Sequence, residues 1–185
     1  MNIVVGVTGA SGAIYARRLI ERILTESKDK EEHQISVVFS SYGLEVAKFE
    51  GEYENICNQK ITIYDANQMF STIASGSSKI DAMVVVPCSV SSLGRIASGC
   101  SDNLLTRSAD VMIKERRKLI IALRETPLSL IHIENMLRVT TAGAIVMPLS
   151  PSFYSKPTTI EELVDTQVDR IASLLGIELG QYIFN

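Results

Sequence analysis

Small and hydroxyl-bearing residues follow directly on a short apolar segment near the start of the chain. Residues 3–7 run into Thr-Gly-Ala-Ser-Gly at 8–12, and a helix-forming stretch begins at Ala13. A strand, a turn and a helix in that order expose backbone N–H groups at a helix N-terminus, where a phosphate can bind. The glycines stand at 6, 9 and 12, which is not the G-x-G-x-x-G spacing of dinucleotide sites. The pattern predicts a site for one phosphate or for a flavin mononucleotide, with a purely structural turn as the alternative.

Four further apolar segments end in residues that could take part in chemistry. Ser40-Ser41 follows the second, where a nicotinamide dinucleotide site usually carries Asp or Glu to hold a ribose hydroxyl. Pro87-Cys88-Ser89-Val90-Ser91-Ser92 follows the fourth and can either hold a flavin edge or a phosphate, or simply cap a helix. Arg124-Glu125 follows the fifth, as a functional pair or as a structural ion pair. The Pro148–Pro157 loop follows the sixth, and its aromatic pair Phe153-Tyr154 either covers a pocket or packs.

Basic residues are spaced so that they can surround an anion. Arg107 and Lys114 are seven residues apart in the segment 101–117, so they share one face of the helix predicted there. Together with Arg124 and Arg170 they can bind an anionic substrate, because guanidinium and ammonium groups form charge-assisted hydrogen bonds. The alternative is an ordinary solvated helix face.

The cysteines and histidines carry little predicted chemistry. Cys57, Cys88 and Cys100 have no C-x-x-C spacing, which favours free thiols in a reducing cytoplasm. Cys88 has no His or acid nearby in sequence and is predicted to be a small buried residue. With only His33 and His132 in the chain, no histidine-based metal site is expected, and His132 is predicted to pack.

Apolar runs and helical patterns alternate along the chain, which predicts an α/β fold with a parallel sheet between two helix layers. Strands are predicted at 2–7, 35–39, 61–64, 81–86, 118–123 and 143–147, and helices near 12–27, 42–49, 66–78, 91–98, 102–115, 128–141 and 159–175. Ser101 or Asp102 is expected to cap the helix at 102–115. The charged stretch 28–32 is predicted to be a solvated loop. Ligands of such folds bind beyond the carboxyl ends of the strands, where the polar turns described above are found.

Length and charge exclude several classes of protein. The 185 residues suit a single domain spanning 1–185, and a net charge of −3 offers no basic field for nucleic acid. The longest apolar run, Ala82–Val86, is too short to cross a bilayer, and the N-terminal strand is not a signal peptide. We therefore expect a cytoplasmic protein that binds neither membrane nor nucleic acid.

Seven motifs together resemble the UbiX flavin prenyltransferases, which older descriptions call aromatic acid decarboxylases. The resemblance extends from residue 2 to about residue 176 and is specific because the motifs keep their order and distances. The motifs are Val-Thr-Gly-Ala-Ser-Gly (7–12), Val-Pro-Cys-Ser (86–89), Asp-Asn-Leu-Leu-Thr-Arg (102–107), Lys-Glu-Arg-Arg (114–117), Arg-Glu-Thr-Pro-Leu (124–128), Glu-Asn-Met-Leu (134–137) and Pro-Ser-Phe-Tyr (151–154).

The resemblance implies a Rossmann-like or flavodoxin-like fold, a homododecamer, and binding of reduced FMN and dimethylallyl monophosphate. The implied reaction joins the dimethylallyl group to N5 and then C6 of the flavin, with no metal. Its product, prenylated FMN, is the cofactor of UbiD-type decarboxylases, which would receive it.

The resemblance also implies roles for individual residues. Those of the flavin site are Gly9, Ala10, Ser11, Ser40, Ser89, Val90, Ser91, Ser92 and Arg124; those for the allylic phosphate are Arg107, Lys114, Tyr154 and Arg170. Ser11 and Glu125 match the residues implicated in proton handling, and some of the site residues are expected from neighbouring subunits. Residues 50–80 are the least similar, and no chemistry is assigned to them.

Three other functions are weighed against this one. Flavin-dependent cysteine decarboxylases rely on an early His and an Asn-rich Pro-x-Ser-Ala-Asn segment, whereas His33 lies in a charged loop and Pro87–Val90 has no Asn. Short-chain reductases need Tyr-x-x-x-Lys, which none of the six tyrosines provides. A non-catalytic flavin carrier with the same pocket stays open.

Overall fold

Parallel strands alternate with helices through residues 1–29 and 32–179, which the computed structural model describes. The strands are β1 (Asn2–Val7), β2 (Gln34–Phe39), β3 (Thr62–Tyr64), β4 (Ala82–Cys88), β5 (Lys118–Leu123) and β6 (Ile145–Pro148). The helices are α1 (Ala13–Glu26), α2 (Ser41–Phe49), α3 (Tyr53–Cys57), α4 (Val90–Ala97), α5 (Leu104–Lys114), α6 (Leu130–Thr141) and α7 (Ile160–Leu175). All six predicted strands are confirmed, with β4 extending two residues further than expected.

The strands form one parallel sheet in the order β3-β2-β1-β4-β5-β6. This is the Rossmann order, so of the two folds that the resemblance implied it is the Rossmann-like one that the chain adopts. The order reverses between β1 and β4, and the chain leaves these neighbouring strands toward opposite faces. Such a reversal leaves a crevice beyond the carboxyl ends of the two strands, which is where ligands of this fold bind.

Each inner strand buries side chains on both faces, as the continuous apolar runs predicted. Val5 of β1 packs with α1 and α7 on one face, whereas Val4 belongs to the cluster formed with α4, α5 and α6 on the other. Because successive side chains of a strand point to opposite faces, an apolar run without alternation fits a sheet that is covered twice. The sheet is therefore a rigid platform for the loops at its edges.

The helix predicted at 66–78 is wrong, because that segment forms turns with a single 3₁₀ turn at Thr72–Ala74. Its side chains bind nearby backbone instead: the Asp65 carboxylate accepts from the N–H of Asn67, and Ser75 Oγ accepts from that of Ser77. Short polar side chains that bond locally in this way compete with helix formation.

Two smaller differences concern the cap of α5 and the presence of α3. The cap of α5 is Asn103, whose side chain accepts from Thr106 N at 3.0 Å, rather than Ser101 or Asp102. The short helix α3 was not predicted.

Of the predicted loop at 28–32, residues 30 and 31 lie outside the described residues. Within the described part of the chain, no helix is long and apolar enough to cross a membrane.

Candidate functional site

A buried threonine joins the loops that follow β1 and β4. Thr8 Oγ1 donates to the Pro87 carbonyl at 2.7 Å and accepts from Ser89 N at 2.7 Å. Thr8 is fully buried, so both bonds are sheltered from water. The turn at 9–12 and the start of α4 are therefore held side by side at the sheet reversal. Sequence reasoning gave Thr8 no role of its own, and only its place directly after a strand marks it.

The start of α2 is fixed to the same edge of the sheet. Ser40 N donates to the Val7 carbonyl at 2.9 Å, and Ser40 Oγ accepts from Gly43 N at 3.0 Å. A Cβ added to Gly43 would lie 2.2 Å from the Val7 oxygen, so only glycine allows α2 this close to β1. As a result Ser40 lies next to the turn at 9–12, as its predicted role in the flavin site requires.

The N–H groups at the start of α1 already bind a carboxylate of the same chain. Gly12 caps the helix with φ 108° and has no side chain to offer. The Glu50 carboxylate accepts from Gly12 N at 3.0 and 3.1 Å and from Ala13 N at 2.8 Å. The phosphate predicted for these N–H groups would have to displace Glu50. Glu50 was missed because 38 residues separate it from Gly12 and no local pattern connects them.

The serines after β4 cap α4, as one of the two interpretations predicted. Ser89 Oγ accepts from Ser92 N at 3.3 Å and donates to Ser92 Oγ at 3.2 Å. Ser92 is buried, whereas Ser91 is exposed and Val90 half-buried at the edge of the sheet. Capping does not exclude ligand binding, because Ser91 remains available there.

Arg124 and Glu125 lie at the carboxyl end of β5 but do not pair with each other. Arg124 N donates to the Cys88 carbonyl at 2.9 Å, which places this residue beside the β4 loop. Burial raises the pKa of Tyr15, and the positive charge of Arg124 opposes that rise, so the guanidinium is near the phenol. Glu125 Oε1 instead accepts from Thr126 N at 2.9 Å. The structural ion pair between Arg124 and Glu125 is therefore not formed, and both residues are exposed at the site.

Arg107 and Lys114 share one face of α5, as predicted, but that helix carries Lys114 away from the other site residues. Arg107 Nη1 is 4.0 Å from Asp110 Oδ2, a weak surface contact. Lys114 ends α5 and precedes β5, whereas Glu125 follows β5. Six residues of strand span about 17 Å, so a single chain does not bring Lys114 to the flavin edge.

Tyr154 and Arg170 are associated with α7, which covers the face of the sheet opposite to the one that α5 and Lys114 cover. The loop carrying Tyr154 is tied to α7, because Ser152 N donates to Thr166 Oγ1 at 3.1 Å and Gln167 Nε2 donates to the Ser150 carbonyl at 2.8 Å. Phe153 and Tyr154 are 71% and 85% exposed, so they do not pack in the core. Arg170 is exposed on α7, about 15 Å along the helix from its start.

The remaining candidate groups have structural roles. Cys88 is fully buried, and burial raises its pKa to about 12, which confirms an inert thiol. His132 does more than pack, because its Nδ1 accepts from Ser129 N at 3.2 Å and completes the cap of α6. Among the described residues, no group of three or more His, Cys, Asp or Glu side chains is arranged to hold a metal ion.

The comparisons with known proteins agree with this geometry. A sequence model of the family described as Flavoprotein matches residues 1–172. The flavin prenyltransferase UbiX of Methanocaldococcus jannaschii is 43% identical over 178 residues, which cover 96% of this chain and 95% of that protein.

Solved structures extend the likeness to three dimensions. A crystal structure described as AnUbiX (PadA1) in complex with FMN and dimethylallyl pyrophosphate has a TM-score of 0.87 at 36% identity and covers 98% of this chain and 97% of its own. A dodecameric FMN-dependent UbiX-like decarboxylase from Escherichia coli O157:H7 has a TM-score of 0.91 at 32% identity, with both chains fully covered. The chain therefore belongs to the Flavoprotein family and, within it, to the UbiX flavin prenyltransferases.

Proposed function

We propose that the chain transfers a dimethylallyl group from dimethylallyl monophosphate to reduced FMN and so makes prenylated FMN for UbiD-type decarboxylases. The observation that carries this proposal is that hydrogen bonds join the loops after β1, β2 and β4 where the strand order reverses. The chain is also 36% identical to a protein whose structure was solved with FMN and a dimethylallyl ester. When bound, reduced FMN supplies electron-rich N5 and C6 atoms as acceptors of the dimethylallyl group.

The donors at this edge suit a flavin mononucleotide. The first N–H groups of any helix lack intrahelical partners, and α2 and α4 both begin here, so the phosphate and the polar flavin edge can bind at these two starts. Ser40 and Ser89 cap the two helices. Exposed Gly9 and Ser11, with Ala10 between them, supply the β1 side, and Arg124 adds a cation. The start of α1 is left out of this set because Glu50 occupies it.

The second group of residues is suited to the leaving phosphate. When an allylic carbon parts from its ester oxygen, negative charge develops on the phosphate. Arg107, Lys114, Tyr154 and Arg170 provide three cations and a hydroxyl donor for that charge, and each well-placed donor is worth about 2.7–4 kcal/mol in the transition state. The carbon fragment becomes cation-like, and it is held close to its acceptor by the same clamp.

Ser11 and Glu125 handle protons in this proposal. Ser11 is exposed in the β1 turn and would form a hydrogen bond with flavin N5 when the flavin is bound. Ring closure breaks the double bond of the dimethylallyl group, which takes up one proton while C6 loses one, and Glu125, exposed at the end of β5, would relay that proton. The bond from Thr126 N keeps the carboxylate folded onto its own turn until then.

Several copies of the chain must build one site, because a single copy does not bring the clamp to the flavin edge. The outer face of α6 supports a contact between copies there, because Leu130, Ile131 and Leu137 are 70%, 67% and 66% exposed. Large apolar side chains concentrated on one helix face mark a protein interface. The UbiX-like protein of E. coli O157:H7 is dodecameric, and we infer a homo-oligomer here too, most simply a dodecamer. A cytoplasmic location stays a prediction.

The proposal is tested by incubating the purified oligomer with reduced FMN and dimethylallyl monophosphate. An FMN that gains one C5H8 unit supports a prenyltransferase, whereas unchanged FMN that remains bound supports the flavin carrier. A parallel reaction with dimethylallyl pyrophosphate, the ester in the AnUbiX crystal, shows which ester is used. Decarboxylation of an aromatic acid or a peptidyl cysteine by the protein alone would favour the older description or the cysteine decarboxylases.

A further inference from the structure

We propose that Gly76 is a positioning residue that seats the ammonium of Lys114 for the phosphate of the substrate. This inference rests on the proposed function, which assigns Lys114 to the phosphate clamp. Gly76 belongs to the stretch Ser75-Gly76-Ser77-Ser78, in a part of the chain to which the sequence assigned no chemistry.

The space over Gly76 is filled by the charged ends of two side chains from the end of α5. A Cβ added to Gly76 would lie 2.6 Å from Lys114 Nζ and 2.3 Å from Glu115 Oε1. Lys114 and Glu115 form an ion pair with each other at that place. Their charged ends fit there only because residue 76 has no side chain.

The turn that carries Gly76 is held by its own hydrogen bonds. Arg117 Nη2 donates to the Gly76 carbonyl at 2.7 Å, and Ser78 Oγ donates to the Ser75 carbonyl at 2.7 Å. These bonds fix the turn against the end of α5 and the start of β5. Gly76 is therefore a fixed surface against which the flexible lysine rests.

The charges leave Lys114 ready for an anion. The hydrogen bond from Lys114 holds the pKa of the Glu115 carboxyl below its usual range, so this carboxylate keeps its negative charge at neutral pH. The Lys114 side chain is 52% exposed, so an anion can approach it from solvent. An ammonium has three donors, so it can keep its bond to Glu115 and still donate to a phosphate oxygen.

The variant Gly76→Ala separates positioning from folding. Gly76 is not among the described glycines with positive φ, so alanine can adopt its backbone conformation. The new methyl group meets the ends of two flexible side chains, and the fold has no reason to change. We expect the KM for dimethylallyl monophosphate to rise about five- to tenfold, the size of one weakened charge-assisted hydrogen bond. The affinity for FMN and the melting temperature should stay at their wild-type values.

A double mutant tests whether Gly76 acts through Lys114. In a Lys114→Ala background, the same Gly76→Ala change should raise KM no further, because the ammonium that it displaces is gone. Gly94→Ala is the matched control, since a Cβ at that helical glycine meets only Asn135 Nδ2, at an ordinary 3.5 Å. It should leave KM unchanged.

The outcomes distinguish this inference from the proposed function. If the wild-type protein makes no prenylated FMN, the proposed function fails before the variants are compared. If the wild type is active and Gly76→Ala leaves KM unchanged, the positioning role is refuted. Equal effects of Gly76→Ala with and without Lys114, or a parallel loss of FMN affinity or thermal stability, would refute it as well.

Discussion

Mixing two inactive variants should restore activity if each site takes Lys114 and Glu125 from different copies of the chain. The structure places the two residues on either side of β5, with Lys114 ending α5 before the strand and Glu125 following it. About 17 Å of strand separates them, which is too far for both to contact one small ester. Each variant alone, Lys114→Ala or Glu125→Gln, should lose about two to three orders of magnitude in turnover.

The expected recovery follows from random assembly. In oligomers refolded from an equal mixture, the copy that contributes Lys114 to a site carries an intact lysine in half of the cases. The copy that contributes Glu125 carries an intact glutamate in half of the cases as well. About one quarter of the sites in a symmetric oligomer therefore carry both. The assay is prenylated FMN formed per bound FMN, measured after the two variants are unfolded, mixed and refolded together.

A second mixture serves as the control. Arg107 and Lys114 share one face of α5, about 10 Å apart, and are expected to reach a site from the same copy. A mixture of Arg107→Ala with Lys114→Ala should therefore stay inactive. If the mixture of Lys114→Ala with Glu125→Gln stays at the level of the single variants, the two residues act from one chain and the multi-copy site is refuted.

The other predictions concern stability, assembly and pH. Glu50→Ala leaves the N–H groups of Gly12 and Ala13 unpaired and should lower the free energy of unfolding in urea by about 1–2 kcal/mol; an unchanged midpoint would show that the cap contributes nothing. Leu137→Glu puts a charge on the exposed face of α6 and should yield smaller species in sedimentation velocity with unchanged circular dichroism, and an intact assembly would exclude that face from the interface. Burial raises the pKa of Cys88 from 9.0 to about 12, so the unfolded thiol loses its proton first and the free energy of unfolding should fall as pH rises through this range. The loss should be smaller in Cys88→Ala, and equal slopes in the two proteins would contradict the buried-thiol assignment.

Much of the fold could be predicted because strands that are buried on both faces consist of uninterrupted apolar residues. Runs such as Met83–Val86 are apolar without alternation, and helices cover this strand on both faces of the sheet. The segment 66–78 was mistaken for a helix because its hydrogen bonds depend on individual Asp and Ser side chains rather than on a period.

Features of the candidate site could be predicted from the residues only where the interacting groups are close together in sequence. The cap at Ser89 could be predicted because a polar turn follows a strand end in sequence, and the structure uses this serine as a cap. Ser40 also caps a helix, although the sequence assigned it to the flavin site by resemblance alone. Glu50 was not found, since its bonds to the start of α1 connect distant parts of the chain. Only the family resemblance places Lys114 and Glu125 in one site, because the two residues lie on either side of β5 within one chain and no local pattern connects them.

Mass spectrometry of the flavin after one turnover tests the central claim most directly. The purified oligomer, loaded with reduced FMN under anaerobic conditions, is given dimethylallyl monophosphate, and the flavin is released for analysis. We predict that FMN gains one C5H8 unit and that one phosphate is released for each flavin modified. Recovery of unmodified FMN from a protein that binds both compounds would contradict the assignment of this chain as a flavin prenyltransferase.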